Sequence, residues 1–380
     1  MEQTNPVIKK SRIVKIGGFD HIEPLLLGGS YPVVVQTMWK EALSADNLKG
    51  EGLAKTLSQI EALQNLGCRI LRFAVPTMEG AELLGTLARS TSMPLVADIH
   101  FDYKIALRCM DFPIAKIRIN PGNIGGAEKV RQVVEKAKDR GIPIRIGVNG
   151  GSLPQDLRRE VDRGALSMPL ALLTAAEREL ELFDQFGFDT VLVSLKSSSI
   201  QDTLEANRLF AQKYDIPLHL GVTEAGPLIA GVVRNAIALY SLLKEGIGAT
   251  LRVSLSDTME KEVIAGREIL AALQEGTPRG SVSGDSSRGV VIVSCPRCGR
   301  NGFDTHAFTE RWQYRLYGLK KDITVAIMGC AVNGPGEARH ADLGITGAGD
   351  RVLIFKHGVV VRTVTAEEAD KAFEEELNSL

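Results

Sequence analysis

Short β-branched, apolar runs alternate along most of the chain with longer stretches whose apolar positions recur every three to four residues. The runs fall at residues 33–38, 69–76, 94–100, 115–120, 142–149, 190–196, 216–223 and 249–254. Amphipathic helical spacing fills stretches between them, as at 52–66, 126–140 and 171–186. Runs that are apolar on both faces, each followed by a helix, predict parallel strands covered on both sides. Eight such units in succession predict a closed (β/α)8 barrel. Residues 12–27 read as a short strand pair that introduces it. A doubly wound sheet would show a Gly-rich phosphate turn after its first strand. No G-x-x-x-x-G-K-[ST] occurs, and Gly334-Pro335-Gly336 is too short and misplaced for a dinucleotide fingerprint.

A last barrel helix is expected over about 257–274. Residues 277–287, rich in Gly and Ser, read as a flexible linker. Beyond it lie a strand at 289–294, a helix at 304–317, a strand at 323–328, a hairpin about Gly358 and a final helix at 366–377. The expected organisation is α/β: a TIM barrel over 1–276, a linker over 277–288 and a smaller α+β domain over 289–380.

Composition narrows the function classes. With 45 Lys+Arg against 46 Asp+Glu, the net charge of -1 gives no reason to expect nucleic acid or an anionic membrane as partner. Residues 1–10 lack the apolar core of a signal peptide, and no apolar run approaches membrane-spanning length. The five cysteines do not form a disulfide framework, and Cys68 and Cys109 read as ordinary buried thiols. A soluble protein of a reducing cytoplasm fits this pattern.

The other three cysteines carry chemistry. Cys295-Pro296-Arg297-Cys298 can grip one metal centre from a single turn, and Cys330 arrives from another strand. Three soft sulfur ligands suit an iron–sulfur cluster or zinc. The fourth position falls to another residue, to water or to substrate. Glu337 is the nearest oxygen donor after Cys330, with His340 and Asp342 behind it. The other histidines, His21, His219, His306 and His357, show no metal-ligand spacing.

In a barrel, alternate residues point inward and chemistry sits at the carboxyl ends of the strands. Those ends are cationic and polar here: Arg72 on the second strand, Lys116, Arg118 and Asn120 on the fourth, Arg145 and Asn149 on the fifth. Ser194 and Lys196 follow on the sixth, Arg252 and Ser254 on the eighth. Burying so much like charge is costly unless carboxylates or a bound anion neutralise it. Arginine forks bind phosphate oxygens bidentately, so the expected ligand is a compact, diphosphorylated small molecule. Asp98, His100 and Glu224 are the acid–base candidates at the same end, and Glu224 is preferred as a lone carboxylate.

These residues carry a resemblance. Val96-Ala97-Asp98-Ile99-His100-Phe101-Asp102, Arg118-Ile119-Asn120-Pro121-Gly122-Asn123, Arg145-Ile146-Gly147-Val148-Asn149 and Leu251-Arg252-Val253-Ser254-Leu255 match it. So do His219-Leu220-Gly221-Val222-Thr223-Glu224-Ala225-Gly226 and Cys330 through Glu337, the most specific of the set. The chain resembles the bacterial 4-hydroxy-3-methylbut-2-enyl diphosphate synthases of the non-mevalonate isoprenoid pathway. After the first strand the family commonly has Met-Thr-Asn-Thr where this chain has Met38-Trp39-Lys40-Glu41.

The resemblance implies a [4Fe-4S] cluster on Cys295, Cys298, Cys330 and Glu337, with 2-C-methyl-D-erythritol 2,4-cyclodiphosphate held by the strand-end cations. It implies reductive ring opening and dehydration with two electrons delivered through the cluster. Glu224 would protonate the departing oxygen, and Glu337 would be displaced from iron by substrate. One-electron delivery points to a reduced flavodoxin or ferredoxin. The linker leaves the barrel opposite its active face and spans ~40 Å at most. A homodimer with sites made in trans is therefore expected. The alternative is a barrel synthase acting on another phosphorylated substrate, with a structural zinc-ribbon domain.

Overall fold

The computed structural model describes residues 8–274, 289–296, 298, 302–330, 334, 336 and 338–380. The chain divides into two compact units, Met1–Glu275 and Gly276–Leu380. The linker read at 277–288 lies outside the described residues.

The first unit opens with an antiparallel pair, β1 (Val14–Ile16) and β2 (Leu25–Leu27). Eight parallel strands follow: β3 (Val34–Met38), β4 (Cys68–Ala74), β5 (Leu95–Asp98), β6 (Lys116–Ile119), β7 (Ile144–Asn149), β8 (Val191–Lys196), β9 (His219–Leu220) and β10 (Thr250–Leu251). They run in the order β8-β7-β6-β5-β4-β3-β10-β9. A parallel bridge between Val193 and Leu218 joins β8 to β9 and closes the ring. All eight strands fall on the sequence-derived runs, because each is apolar on both faces. The last two are shorter than expected. Pro217 has no N–H to donate, though its carbonyl still accepts from Val193 N at 3.1 Å.

Among the described residues of this unit there are ten α-helices: α1 (Gly50–Asn65), α2 (Met78–Ala88), α3 (Tyr103–Cys109), α4 (Pro121–Ile124), α5 (Ala127–Arg140), α6 (Gln155–Asp162), α7 (Met168–Gln185), α8 (Ile200–Lys213), α9 (Leu228–Lys244) and α10 (Met259–Leu273). Side-chain caps start several of them. Thr77 accepts from Gly80 N at 3.0 Å for α2, Ser199 from Asp202 N at 3.2 Å for α8, and Thr258 from Lys261 N at 3.4 Å for α10. The amino-terminal end of the barrel is plugged. Val14, Ile16, Leu25 and Leu27 of the β1–β2 pair pack on Val34, Ile70, Val96, Leu192 and Ala249 near the strand beginnings.

The second unit is a five-stranded mixed sheet ordered β11 (Val291–Ser294), β12 (Thr324–Met328), β13 (Leu343–Ala348), β14 (Arg351–Lys356) and β15 (Val359–Val364). The first three strands are parallel and the last two antiparallel. Two helices, α11 (Thr305–Tyr317) and α12 (Ala369–Asn378), contribute Phe308, Trp312, Leu316, Phe373 and Leu377 to a core with Val325, Ile327, Leu343, Ile345 and Ile354. Among the described residues, no helix is long and apolar enough to cross a membrane.

Candidate active site

Buried cations crowd the barrel interior, from the first residue of β6 to the last of β8. Lys116, Arg118, Arg145 and Lys196 are buried on β6, β7 and β8. Arg72 from β4 and Arg252 just past β10 have side chains only 11% and 15% exposed. Two glycines make room for the longest of these chains. A Cβ on Gly147 would lie 2.5 Å from Arg118 Nε, and one on Gly221 would lie 2.6 Å from Lys196 Nζ. Ser194 is buried on the same strand as Lys196, while Asn120, Asn149 and Ser254 are half-buried at the strand ends.

Two buried carboxylates answer part of this charge. Asp98 at the end of β5 accepts from Arg118 Nη1 at 3.0 Å, with Arg72 Nε at 3.6 Å and His100 Nε2 at 3.5 Å. Burial alone would raise its pKa, but Arg72, the bond from His100 and Arg118 hold it far below the carboxylate range. Glu262, fully buried in the first turn of α10, takes both Nε and Nη2 of Arg252 at 3.2 Å. Of the two ways to neutralise the strand-end cations, a barrel carboxylate or a bound anion, the first accounts for part of the set. Arg118 and Arg252 already have carboxylate partners, and Arg72 shares Asp98.

Arg145 and the lysines are different. Arg145 is 1% exposed, and its Nε and Nη1 have no hydrogen-bond partner among the described residues; neither has Lys116 Nζ. Burial, then Arg72 and Arg118, lower the Arg145 pKa. Burial, then Arg145 and Arg72, pull Lys116 well below its usual value, and burial followed by Arg145 does the same to Lys196. His219 is fully buried, shares a 2.7 Å bond with Thr250 Oγ1 and is kept neutral by burial and then by Lys196. Four arginines and two lysines thus surround two carboxylates in the barrel interior, which is chemistry suited to a small polyanion.

Glu224 stands apart from this interior: its side chain is exposed, on the turn after β9. Its φ of 52° lies in the left-handed region, a conformation that costs a non-glycine residue ~1–3 kcal/mol and concentrates at functional turns. Sequence reasoning missed two acids. One is Glu262. The other is Glu179 on α7, which accepts from Gly122 N at 3.0 Å in the turn after β6 and is pushed to about 7 by burial.

In the second unit, β11 and β12 run parallel with Ser294 opposite Ile327. Cys295 therefore follows one strand end and Cys330 follows its neighbour. Gly329 N donates to Cys295 Sγ at 3.1 Å, the kind of N–H···S bond that stabilises a thiolate on a metal. Gly334 N bonds Cys330 O at 3.0 Å, and a Cβ there would strike Thr346 Cγ2 at 2.6 Å, so Gly334 itself lies close against β13. Cys295 and Cys330 are half-buried and Cys298 is exposed; all three are free thiols. Among the described residues no group of three or more His, Cys, Asp or Glu side chains is gathered closely enough to hold a metal ion, so the three thiols are not brought together here as one ligand set. Glu337 lies outside the described residues. Cys68 and Cys109, by contrast, are fully buried thiols whose pKa values burial pushes up to about 11 and 12.

Together these features define a class: a (β/α)8 barrel with a buried cationic interior, joined to a smaller unit that carries three cysteines outside its core. Comparison with known proteins narrows it. Residues 20–267 match the GcpE TIM-barrel domain and residues 291–379 the GcpE protein C-terminal domain. The chain belongs to the GcpE family. Two relatives, from Treponema denticola and Treponema pallidum, are each 52% identical over 98% of this chain, covering 99% and 92% of their own lengths. A third, from Caldicellulosiruptor saccharolyticus, is 42% identical over 97% of this chain and 98% of its own. All three are named 4-hydroxy-3-methylbut-2-en-1-yl diphosphate synthase (flavodoxin).

Proposed function

We infer that the chain is an oxidoreductase that opens 2-C-methyl-D-erythritol 2,4-cyclodiphosphate and dehydrates it to 4-hydroxy-3-methylbut-2-enyl diphosphate. Overall, the substrate takes up two electrons and two protons and releases one water. The observation that carries this reading is the cationic barrel interior, in a chain whose full-length relatives bear that enzyme's name. The diphosphate is proposed to sit against Arg72, Arg118, Arg145, Lys196 and Arg252, with Asn120, Asn149 and Ser254 supplying neutral hydrogen bonds. Closing such a basin over its ligand excludes water and strengthens every charged contact. Glu224 is the proposed acid for the departing oxygen; its exposed side chain can exchange its proton with solvent between turnovers.

No side chain supplies the electrons, so a cofactor must. A [4Fe-4S] cluster held by Cys295, Cys298, Cys330 and Glu337 would supply one-electron transfer and a Lewis-acidic iron. The relatives' names support a flavodoxin as donor, with a ferredoxin as the related choice. We further propose a cytoplasmic homodimer with active sites made in trans. An exposed apolar stripe on α9, with Ile229 80%, Val233 52% and Ile237 49% exposed, supports a buried contact there.

The test is anaerobic purification with iron and sulfide analysis, then assay with the cyclodiphosphate and photoreduced flavodoxin. Turnover in proportion to iron content is expected. A fully iron-loaded protein that leaves the cyclodiphosphate intact would end this reading, and stoichiometric zinc would favour the structural-metal alternative.

A further inference from the structure

The loop after the first barrel strand and the start of α10 meet on a single acid. The Glu262 side chain is fully buried, and its two oxygens accept five contacts. Oε2 accepts from Thr37 Oγ1 at 2.7 Å and from Arg252 Nε at 3.2 Å. Oε1 accepts from Leu255 N at 3.0 Å and Arg252 Nη2 at 3.2 Å, and pairs with Lys40 Nζ at 3.0 Å. Lys40 Nζ also donates to the carbonyls of Leu255, at 3.0 Å, and Asp257. One carboxylate therefore ties β3, the loop after it and the β10–α10 loop together.

We propose that Glu262 is the positioning residue for Arg252, with Lys40 and Thr37 as its supports, and that it fixes the orientation of one wall of the diphosphate site. A carboxylate has about four lone-pair directions, and five donors fill them. The acid thus has no freedom to follow a ligand. Arg252 is held through Nε and Nη2, in the bidentate form that only a guanidinium can make, and Nη1 is the group left for a phosphate oxygen. Lys40 supplies a second unit of positive charge beside the same acid. It also pins the loop of Trp39, which is buried and stacked on Phe73 at 5.4 Å. That links a segment where this chain departs from its family's usual sequence to the arginine across the barrel seam.

The proposal rests on the diphosphate reading of the basin, and the test separates the two. Iron-loaded enzyme is assayed with the cyclodiphosphate for wild type, Glu262→Gln, Arg252→Met and the double variant, with melting followed in parallel. Binding by wild type establishes the basin first; its absence sinks the function reading and leaves positioning without an object. Given binding, Glu262→Gln should raise KM about tenfold and leave kcat within about twofold. In the Arg252→Met background the same change should leave KM unaltered, because the group being positioned is gone. Thr37→Val, which keeps every charge, should raise KM in the same direction by about twofold to threefold and serves if Glu262→Gln melts too low to assay. An equal KM penalty with and without Arg252, or unchanged KM in Glu262→Gln and Thr37→Val, overturns the assignment.

Discussion

Replacing Arg145 or Arg118 by methionine should act on stability in opposite directions, although both arginines line one basin. Arg145 has two buried nitrogens with no partner and stands among other cations. Methionine keeps most of the apolar stem and removes one repelling charge, so the ligand-free variant should melt at or above the wild-type temperature. Arg118 instead donates to Asp98 at 3.0 Å, and that carboxyl group is 3% exposed. Its loss leaves Asp98 with Arg72 at 3.6 Å as the nearer remaining cation. Breaking a buried pair costs about 3–5 kcal/mol, and Arg72 puts this case at the low end, near ~3 kcal/mol. For a unit of this size that is a fall of about 6–12 °C in melting temperature.

Binding should fall in both variants. A charged hydrogen bond contributes about 1.5–3 kcal/mol, so KM for the cyclodiphosphate should rise roughly 10- to 150-fold. The assay pairs scanning calorimetry of the ligand-free protein with steady-state kinetics of the iron-loaded enzyme. If Arg145→Met melts well below wild type while Arg118→Met does not, the division between free and partnered arginines is wrong.

Three further outcomes follow from the site. Glu224→Gln should cut kcat by about 10²- to 10⁴-fold with little change in substrate affinity, measured by rapid-quench turnover and equilibrium binding. Lys116→Met should matter less as the pH rises, because burial, then Arg145 and Arg72, lower the Lys116 pKa and wild type sheds that charge on the alkaline side before an ordinary lysine would. The KM ratio of variant to wild type should therefore fall with rising pH; a ratio flat with pH refutes it. Cys330→Ser should abolish iron and sulfide incorporation while the melting of the barrel unit stays at its wild-type temperature. Visible absorption and calorimetry report the two separately.

The barrel was legible because its strands are buried on both faces, which leaves an uninterrupted apolar run in the sequence. In the second unit the strand Leu343–Ala348 was missed for a local reason: Gly344 and Gly347 made it resemble a turn. Those glycines serve packing instead. A Cβ on Gly344 would overlap the Phe355 ring at 2.1 Å, and one on Gly347 would meet Gly302 C at 2.6 Å. The strand-end cations were legible from the period-2 alternation. Their acid partners were not, because Asp98 and Arg118 stand on neighbouring strands twenty residues apart, and Glu262 enters from a helix rather than from a strand face. Alternation along one strand says which residues share the interior. It cannot say which carboxylate the curl of the sheet, or a following helix, brings to meet them.

Those two acids also set how much charge the basin keeps. Without them, four arginines would stand together in a closed interior, at a desolvation cost no small ligand could offset. More acids would leave nothing to attract an anion. The four arginines outnumber Asp98 and Glu262 by two, and Lys40 brings a further positive charge to Glu262, so the basin keeps a positive excess. A cyclic diphosphate is a dianion, and as the proposed ligand it would offset most of that excess. Burial lowers the pKa values of Lys116 and Lys196, so the two lysines resist adding to it.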